Sequence, residues 1–403
     1  MKHGYGGDTL SESVFQPWSS VALIDIRAIP QTVLHSTMTL RSSLTLSLAA
    51  LLLGSALSHA ADSGLAITKD AHGVTVTVNG KPFASYVIDQ SNKPYLWPVY
   101  GPTGKAMTRA FPMQEIDSES KEQRDHPHHR GIVFGHESSG TSAWSFPEKW
   151  DAITGDEKVT GGGDTWHEKR TFEEFMENPK NALRGKQRLP MVARIKHKEF
   201  TEVKVDGDRA VIAETCEYLD PAGTRYLTEY RRLTFRASGE TRSIDFDQDF
   251  VATDGPAKFE DRKDAGLSIR VPASMAVDSK QGGRIVNSEG LADKDAWSKP
   301  AKWCAYSGPV EGEQLGIAFL NHPSSYRYPT RWHVRTYGLF TANPFAIRDF
   351  DKTQPSGTTE LKPGERLSLR HRFIFHRGDA QAAKIDDAWT AYANEVPAPV
   401  AKP

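Results

Sequence analysis

The chain has 403 residues, with 50 lysines and arginines set against 51 aspartates and glutamates. That balance leaves no broad charge excess to draw a nucleic acid or a membrane surface, and the length fits one or two domains. Nine tryptophans and twelve tyrosines suit sugar stacking, although an aromatic core has the same composition.

Residues 1–37 are mixed, with no clear period, and read as a disordered N-terminal extension. From Met38 the pattern becomes that of a secretory signal: Arg41, an apolar run from Leu44 to Leu57, then Ser58-His59-Ala60. Residues 38–60 are therefore expected to be a signal peptide cleaved before Ala61, placing the mature protein in the periplasm or outside the cell. The apolar run is short of the roughly 20 residues a spanning helix needs, and nothing later is longer. The mature chain, 61–403, reads as one β-sandwich domain. Its two cysteines, Cys216 and Cys304, are open to pairing in an oxidising compartment or to remaining buried thiols.

Val74–Val78, Asn79-Gly80 and Phe83–Val87 spell a hairpin with a type I′ turn. Next comes the densest chemistry of the chain, Arg124-Asp125-His126-Pro127-His128-His129-Arg130-Gly131, running into Ile132-Val133-Phe134-Gly135-His136-Glu137. Imidazoles titrate near neutrality and bind metals. Pro127 cannot donate to a ladder, so Asp125–Pro127 reads as a turn and Ile132–Phe134 as a short buried strand. If that strand begins at His128, then His128, Arg130 and His136 face one way, and His129 and Glu137 the other. His136 would lie roughly 26 Å from His128, so only His126, His128 and His129 can converge, at the strand's mouth. Arg124 and Arg130 should lower the histidine pKa values by like-charge repulsion, favouring neutral imidazole.

Residues 138–190 form a long excursion with a short helix near Phe172–Met176. As a lid it would draw Trp166 and His167 over the cluster; most of it reads as surface decoration. Alternating strands follow at 209–218, 230–237, 242–251, 267–271, 315–320 and 368–375, the pattern of a large antiparallel β-sandwich. A helix over Ala380–Glu395, with Ile385, Ala388, Trp389 and Tyr392 on one face and Asp379 as cap, closes the chain. Two later stretches carry polar chemistry. Phe259–Asp264 and Asn287–Gly290 offer Glu260 and Glu289. Arg331–Leu339, read as one strand, places Arg331, His333, Arg335 and Tyr337 on a face that needs polar ligands to satisfy it; Asn343 follows. His371, between Leu369 and Phe373, reads as a satisfied core histidine.

His126–Gly131, the 260–270 stretch, Asn287–Gly290, Trp332–Arg335, Tyr337–Phe340 and Asn343-Pro344 together resemble the PmoA-like family, over roughly Tyr95 to the end. The 138–190 excursion is an insertion against that family, and Thr336 stands where it carries an acidic residue. The resemblance implies an exported bacterial β-sandwich protein that accompanies polysaccharide breakdown, similar in fold to the galactose mutarotase-like supersandwich.

The leading expectation is a carbohydrate-active lyase, hydrolase or epimerase acting on a small-molecule or oligosaccharide ligand. His128, His129, His333 and Glu289 are its catalytic candidates; Arg130, Glu260, Arg335, Tyr337 and Asn343 are its binding candidates. The alternatives are a copper or zinc oxidase or oxygenase with His126, His128 and His129 as ligands, and a non-catalytic glycan-binding protein.

Overall fold

The computed structural model describes residues 64–137 and 162–400, all within one compact unit. The extension, the signal segment and residues 138–161 of the excursion lie outside them. In chain order the strands are β1 (Leu65–Lys69), β2 (Gly73–Val78), β3 (Lys81–Val87), β4 (Tyr95–Val99), β5 (Ile132–His136) and β6 (Arg194–Asp206). Then come β7 (Arg209–Leu219), β8 (Arg225–Ala237), β9 (Thr241–Val251), β10 (Ala257–Phe259), β11 (Ala265–Arg270) and β12 (Arg284–Asn287). The last are β13 (Trp303–Val310), β14 (Glu313–Asn321), β15 (Arg331–Val334), β16 (Leu339–Asn343), β17 (Thr359–Leu361) and β18 (Arg366–Arg377). Three helices accompany them: α1 (Lys169–Glu177), α2 (Ala182–Arg188) and α3 (Ile385–Ala393).

Two eight-stranded sheets carry the fold. The first runs β1-β2-β3-β4-β5-β11-β16-β15 and the second β12-β13-β14-β18-β9-β8-β7-β6, with β10 and β17 forming a small ribbon. The strand pairings are antiparallel. This is the antiparallel sandwich with a C-terminal helix that the strand pattern implies. Alternation explains the core. Ile132, Phe134, Leu267, Ile269, Phe340, Ala342, Trp332 and Val334 of the first sheet pack with Ile212, Leu233, Phe246, Phe319 and Phe373 of the second. The β2–β3 turn has Asn79 at φ 50° and Gly80 at φ 72°, the two left-handed residues a type I′ turn demands.

Departures from the sequence reading have local causes. β6 was not expected, because its sequence alternates charge with charge; it is an edge strand with few apolar positions to bury. The closing helix is shorter than Ala380–Glu395. Asp379 Oδ1 does accept the Ala382 N–H at 2.8 Å, but Lys384 is left-handed at φ 51°, so the helix proper starts at Ile385. Cys216 and Cys304 are free and buried. His371 is buried and meets Asn321 Nδ2 through Nε2 at 3.3 Å, as a core histidine should.

Candidate functional site

The histidine stretch is a turn rather than the start of a strand. The His129 N–H donates to the His126 carbonyl at 3.0 Å, His126 is left-handed at φ 47° and so is Gly131. Gly131 is obligatory: a Cβ there would lie 2.0 Å from the Leu96 carbonyl oxygen. The two left-handed residues break the alternation expected from His128 onward. As a result the three rings meet. His126 stacks on His129 with centroids 4.9 Å apart and planes 2° apart, and His128 meets His129 edge-on at 4.3 Å.

Buried charges hold this turn. Arg109 donates to Asp125 Oδ1 at 2.7 Å and to the Gln123 and His126 carbonyls at 2.8 and 3.1 Å. Arg270, at the end of β11, donates to the same Asp125 oxygen at 2.6 Å and to His129 Nδ1 at 3.1 Å. Burial works against ionisation of Asp125, yet the His126 hydrogen bond and the Arg270 and Arg109 charges hold its carboxyl far below the usual range. Burial is also the main force pushing His128 and His129 well below an ordinary histidine. The next causes are His167 for His128 and the neighbouring histidines and Arg270 for His129. The expectation that Arg124 and Arg130 do this is corrected: each has a carboxylate of its own, Glu115 and Glu168.

Part of the excursion closes over the turn. At Gly135 of β5, a Cβ would come within 2.9 Å of Thr165 O and Trp166 Cα, so only glycine lets the segment 164–168 lie against the strand. Lys93 donates to the Trp166 carbonyl at 2.8 Å, Asn92 to that of His167 at 2.8 Å, and Arg130 grips Glu168 through two bonds of 2.7 and 2.9 Å. His167 thereby reaches His128, ring centroids 4.6 Å apart, and Trp166 meets His129 at 5.8 Å. Asp164 accepts from His167 Nδ1 at 2.8 Å; burial opposes the His167 charge, but Asp164 lifts its pKa. Residues 164, 165 and 167 are fully buried, so this part of the excursion is core rather than decoration.

The rest of the site lies on the outer face of the first sheet, opposite the sandwich core. Register puts Val133, Ser268, Thr341 and His333 in one row, and directly opposed residues share a face. Arg335 follows β15 and its N–H donates to the Leu339 carbonyl at 2.7 Å, continuing the ladder. β15 ends at Val334, so Tyr337 belongs to the hairpin turn rather than to a strand face. Tyr337 still adjoins the histidines: it stacks on His126 at 5.5 Å, with Arg270 over it at 4.7 Å and Arg335 at 5.6 Å. Trp297 touches both His333, at 6.4 Å, and Arg335, at 5.8 Å. One continuous line of rings and guanidiniums thus joins His167, His128, His129, His126, Tyr337, Arg335, Trp297 and His333.

The partners fix where the protons sit. A guanidinium only donates, so His129 Nδ1 accepts from Arg270 and neutral His129 carries its proton on Nε2. The Lys263 carbonyl only accepts, at 2.8 Å from His333 Nδ1, so that nitrogen carries the proton and His333 Nε2 keeps its lone pair. Burial pushes the His333 pKa down to about 4. Burial also lifts the Tyr337 hydroxyl to about 12. Among the described residues three buried polar atoms here, Thr341 Oγ1, Trp297 Nε1 and His167 Nε2, have no hydrogen-bond partner; buried groups of this kind want a ligand or an ordered water.

Several expected residues stand elsewhere. Glu289 lies exposed in the turn after β12, hydrogen-bonded to Ser288, and does not join the cluster. Glu260 pairs with Arg262 at 2.8 Å and lines a separate cavity with Tyr226, Lys258 and Glu360. Asp264 does stand on this face, where its negative charge opposes the burial that lowers the His333 pKa and adds to Asp164 in raising that of His167. It lay within the stretch singled out in the sequence. Pairing of Ala265 with His136 puts it beside Glu137, a register no single sequence displays. Arg130 spends its fork on Glu168. Asn343 is a clamp: its amide donates to the Arg262 and Lys263 carbonyls and accepts from the Phe345 and Ala346 N–H groups. Arg270 was missed, although its alternation with Leu267 and Ile269 marks it as facing away from the core.

A metal held by His126, His128 and His129 does not fit. Imidazole lone pairs lie in the ring plane, and the flat stack of His126 on His129 holds those planes parallel. Arg270 and Thr171 hold Nδ1 of His129 and His128 at 3.1 and 3.0 Å. Among the described residues no group of three or more His, Cys, Asp or Glu side chains is arranged to bind a metal ion. Nor is any described helix long and apolar enough to cross a membrane.

Solved structures align with much of the chain. A galactose mutarotase-like protein from Clostridium acetobutylicum aligns at 10% identity over 78% of this chain and 100% of its own, with a TM-score of 0.37. One from Lactobacillus casei aligns at 7% identity over 78% and 100%, with a TM-score of 0.33. A GH36 alpha-galactosidase from Geobacillus stearothermophilus aligns at 12% identity over 78% of this chain and 41% of its own, with a TM-score of 0.34. No curated protein matches the chain. The resemblance to the PmoA-like family is corrected by the family model that does match, over residues 73–390: the chain belongs to DUF6807, a family of unknown function.

Proposed function

We propose that the protein is a carbohydrate-active enzyme that performs acid–base chemistry on a sugar at the outer face of the first sheet. The reaction type is that of a lyase, hydrolase or epimerase. The observation that carries this reading is the opposite proton placement on two buried neutral imidazoles: His129 presents Nε2–H and His333 presents a bare Nε2. β15 and β11 are separated by β16 alone, two strand spacings of about 4.8 Å each. His129, in the turn before β5, meets this span through Arg270 at the end of β11. His333 Nε2 removes a proton from the sugar and returns it to the product, while His129 Nε2–H donates a hydrogen bond to the sugar oxygen on which charge develops, so both rings end the cycle neutral. A neutral His333 is free to accept a proton at pH 7. Asp264 supports the imidazolium that forms on His333, and Thr341, Trp297 and Tyr337 offer hydroxyl and N–H groups to sugar hydroxyls. The reading includes export, on the strength of residues 38–60, which N-terminal sequencing of the secreted material tests at Ala61.

The test is product analysis by NMR after incubation with monosaccharides and oligosaccharides. His129→Ala and His333→Ala should each cut turnover by about 100-fold or more, the usual contribution of a donor to developing charge or of a general base. Binding without turnover would leave a glycan-binding protein and defeat the enzyme reading; neither binding nor turnover would defeat both.

A further inference from the structure

We propose that the sugar handled at this face carries a carboxylate, gripped by Arg335, which makes the substrate class uronates rather than neutral hexoses. This rests on the carbohydrate reading above and goes beyond it in naming the group that Arg335 recognises.

The first observation is a charge left over. Around this face Arg109 and Arg270 share Asp125, Arg130 holds Glu168, Arg188 holds Glu137 and Arg262 holds Glu260. Lys263 has Asp264 at 3.3 Å, and Arg331 donates to the Ser298 carbonyl at 2.9 Å. Arg335 differs. Among the described residues its guanidinium has neither a carboxylate nor a carbonyl partner; it is held only by ring faces, Trp297 at 5.8 Å and Tyr337 at 5.6 Å. Two ring faces hold the guanidinium's charge, and no hydrogen bond among the described residues occupies its N–H fork, the part that matches a carboxylate with two parallel hydrogen bonds.

The second observation is crowding of like charge. Arg270 packs on the same Tyr337 ring at 4.7 Å. Asp125 answers Arg270 but no described carboxylate pairs with Arg335, so an anion arriving between Trp297 and Tyr337 relieves a repulsion built into the face. Asp264 decides which anion. Its charge reaches both His333 and Tyr337, so it penalises a doubly charged phosphate more than a singly charged carboxylate.

Position ties this contact to the chemistry. Arg335 lies two residues beyond His333 on the same face, and its charge is among the causes that lower the His333 pKa. A substrate carboxylate on Arg335 cancels that field, so the correct substrate makes His333 a stronger base as it binds. A neutral hexose leaves the field in place.

The experiment compares matched pairs in the wild-type protein by titration calorimetry: galacturonate with galactose, glucuronate with glucose, mannuronate with mannose, and glucose 6-phosphate as the dianion. At least one uronate should bind about tenfold or more tighter than its parent hexose and tighter than the phosphate. Arg335→Gln should erase that preference while the hexose affinity stays within about twofold, and Arg335→Lys should restore it only in part. Among the described residues Arg335 makes no side-chain hydrogen bond or ion pair, and its ring contacts are weak, so the variants should melt close to the wild type; a folded variant is thus available for the comparison. Equal binding within every pair, preference for the phosphate, or a uronate preference that survives Arg335→Gln would overturn the inference and leave the carbohydrate reading standing. Absence of binding by any sugar would overturn both.

Discussion

The two sheets each turn a polar face away from the shared core, and the two faces differ in how their charges are matched. On the second sheet Asp245, Asp247 and Asp249 of β9 face Arg372, Arg370 and Ser368 of β18 in register. There the arginines are answered: Arg372 grips Asp245, Arg370 and Arg366 reach Asp249 at 2.6 and 2.9 Å, and Arg236 reaches Asp245 at 2.6 Å. The first sheet's outer face has its own closed pairs, but beside them stand neutral histidines, orphaned hydroxyl and indole groups and an unanswered guanidinium. A matched ladder holds strands together. The unmatched face is the one on which the sugar site is proposed.

The comparison breaks first where a matched charge is removed. Asp249→Ala removes the carboxylate that Arg366 and Arg370 share, leaving the buried Arg370 its Gln248 and Leu369 carbonyls, and should cost about 2–3 kcal/mol of stability, the usual cost of losing hydrogen bonds to a charged group. Turnover per folded molecule should stay at the wild-type level, which chemical denaturation and activity at matched folded fraction check together. His129→Ala should do the reverse. It removes the donor to the developing charge and costs turnover about 100-fold, with a stability loss of only about 1–2 kcal/mol, because Asp125 still answers Arg270.

Acid sharpens the contrast next. His333 and His136 have pKa values pushed down to about 4 by burial, and His371 to about 3. In the unfolded chain each titrates near 6.5, so as pH falls below 6.5 the unfolded state takes up protons that the folded state refuses. The stability these neutral histidines contribute is full above that pH and declines steadily down to about pH 4 for His333 and His136 and about pH 3 for His371. Melting temperature followed from pH 7 to pH 4 should fall throughout, whereas turnover should hold until the pH nears 4, where His333 itself protonates. The smallest effect belongs to Arg335→Gln, which should move stability by less than about 0.5 kcal/mol while changing ligand preference.

Much of this was legible before any coordinates. Alternation marked β2, β3, β7, β8, β9, β14 and β18, and the cluster of His126, His128 and His129 with the later His333, Arg335 and Tyr337 marked the residues of the candidate site. Trp166 and His167 did come to lie over that cluster. What stayed hidden depends on register and on left-handed backbone. Periodicity carried through Gly131 and His126 assigned His128 and His129 to opposite faces, but those two residues fold the stretch back and bring the rings together. Glu260 and Glu289 were the carboxylates singled out; Asp264 emerges only because strand pairing sets it beside Glu137. Arg130 looked free because Glu168, 38 residues away, cannot be paired with it from sequence alone.

The proton positions on His129 and His333 bear most directly on the central claim, and nitrogen-15 NMR of the imidazole rings at pH 7 reads them. The account predicts two neutral rings of opposite tautomer, His129 protonated at Nε2 and His333 at Nδ1, with the His129 assignment lost in Arg270→Ala. Two rings of the same tautomer, or a charged imidazolium at either position, would contradict it.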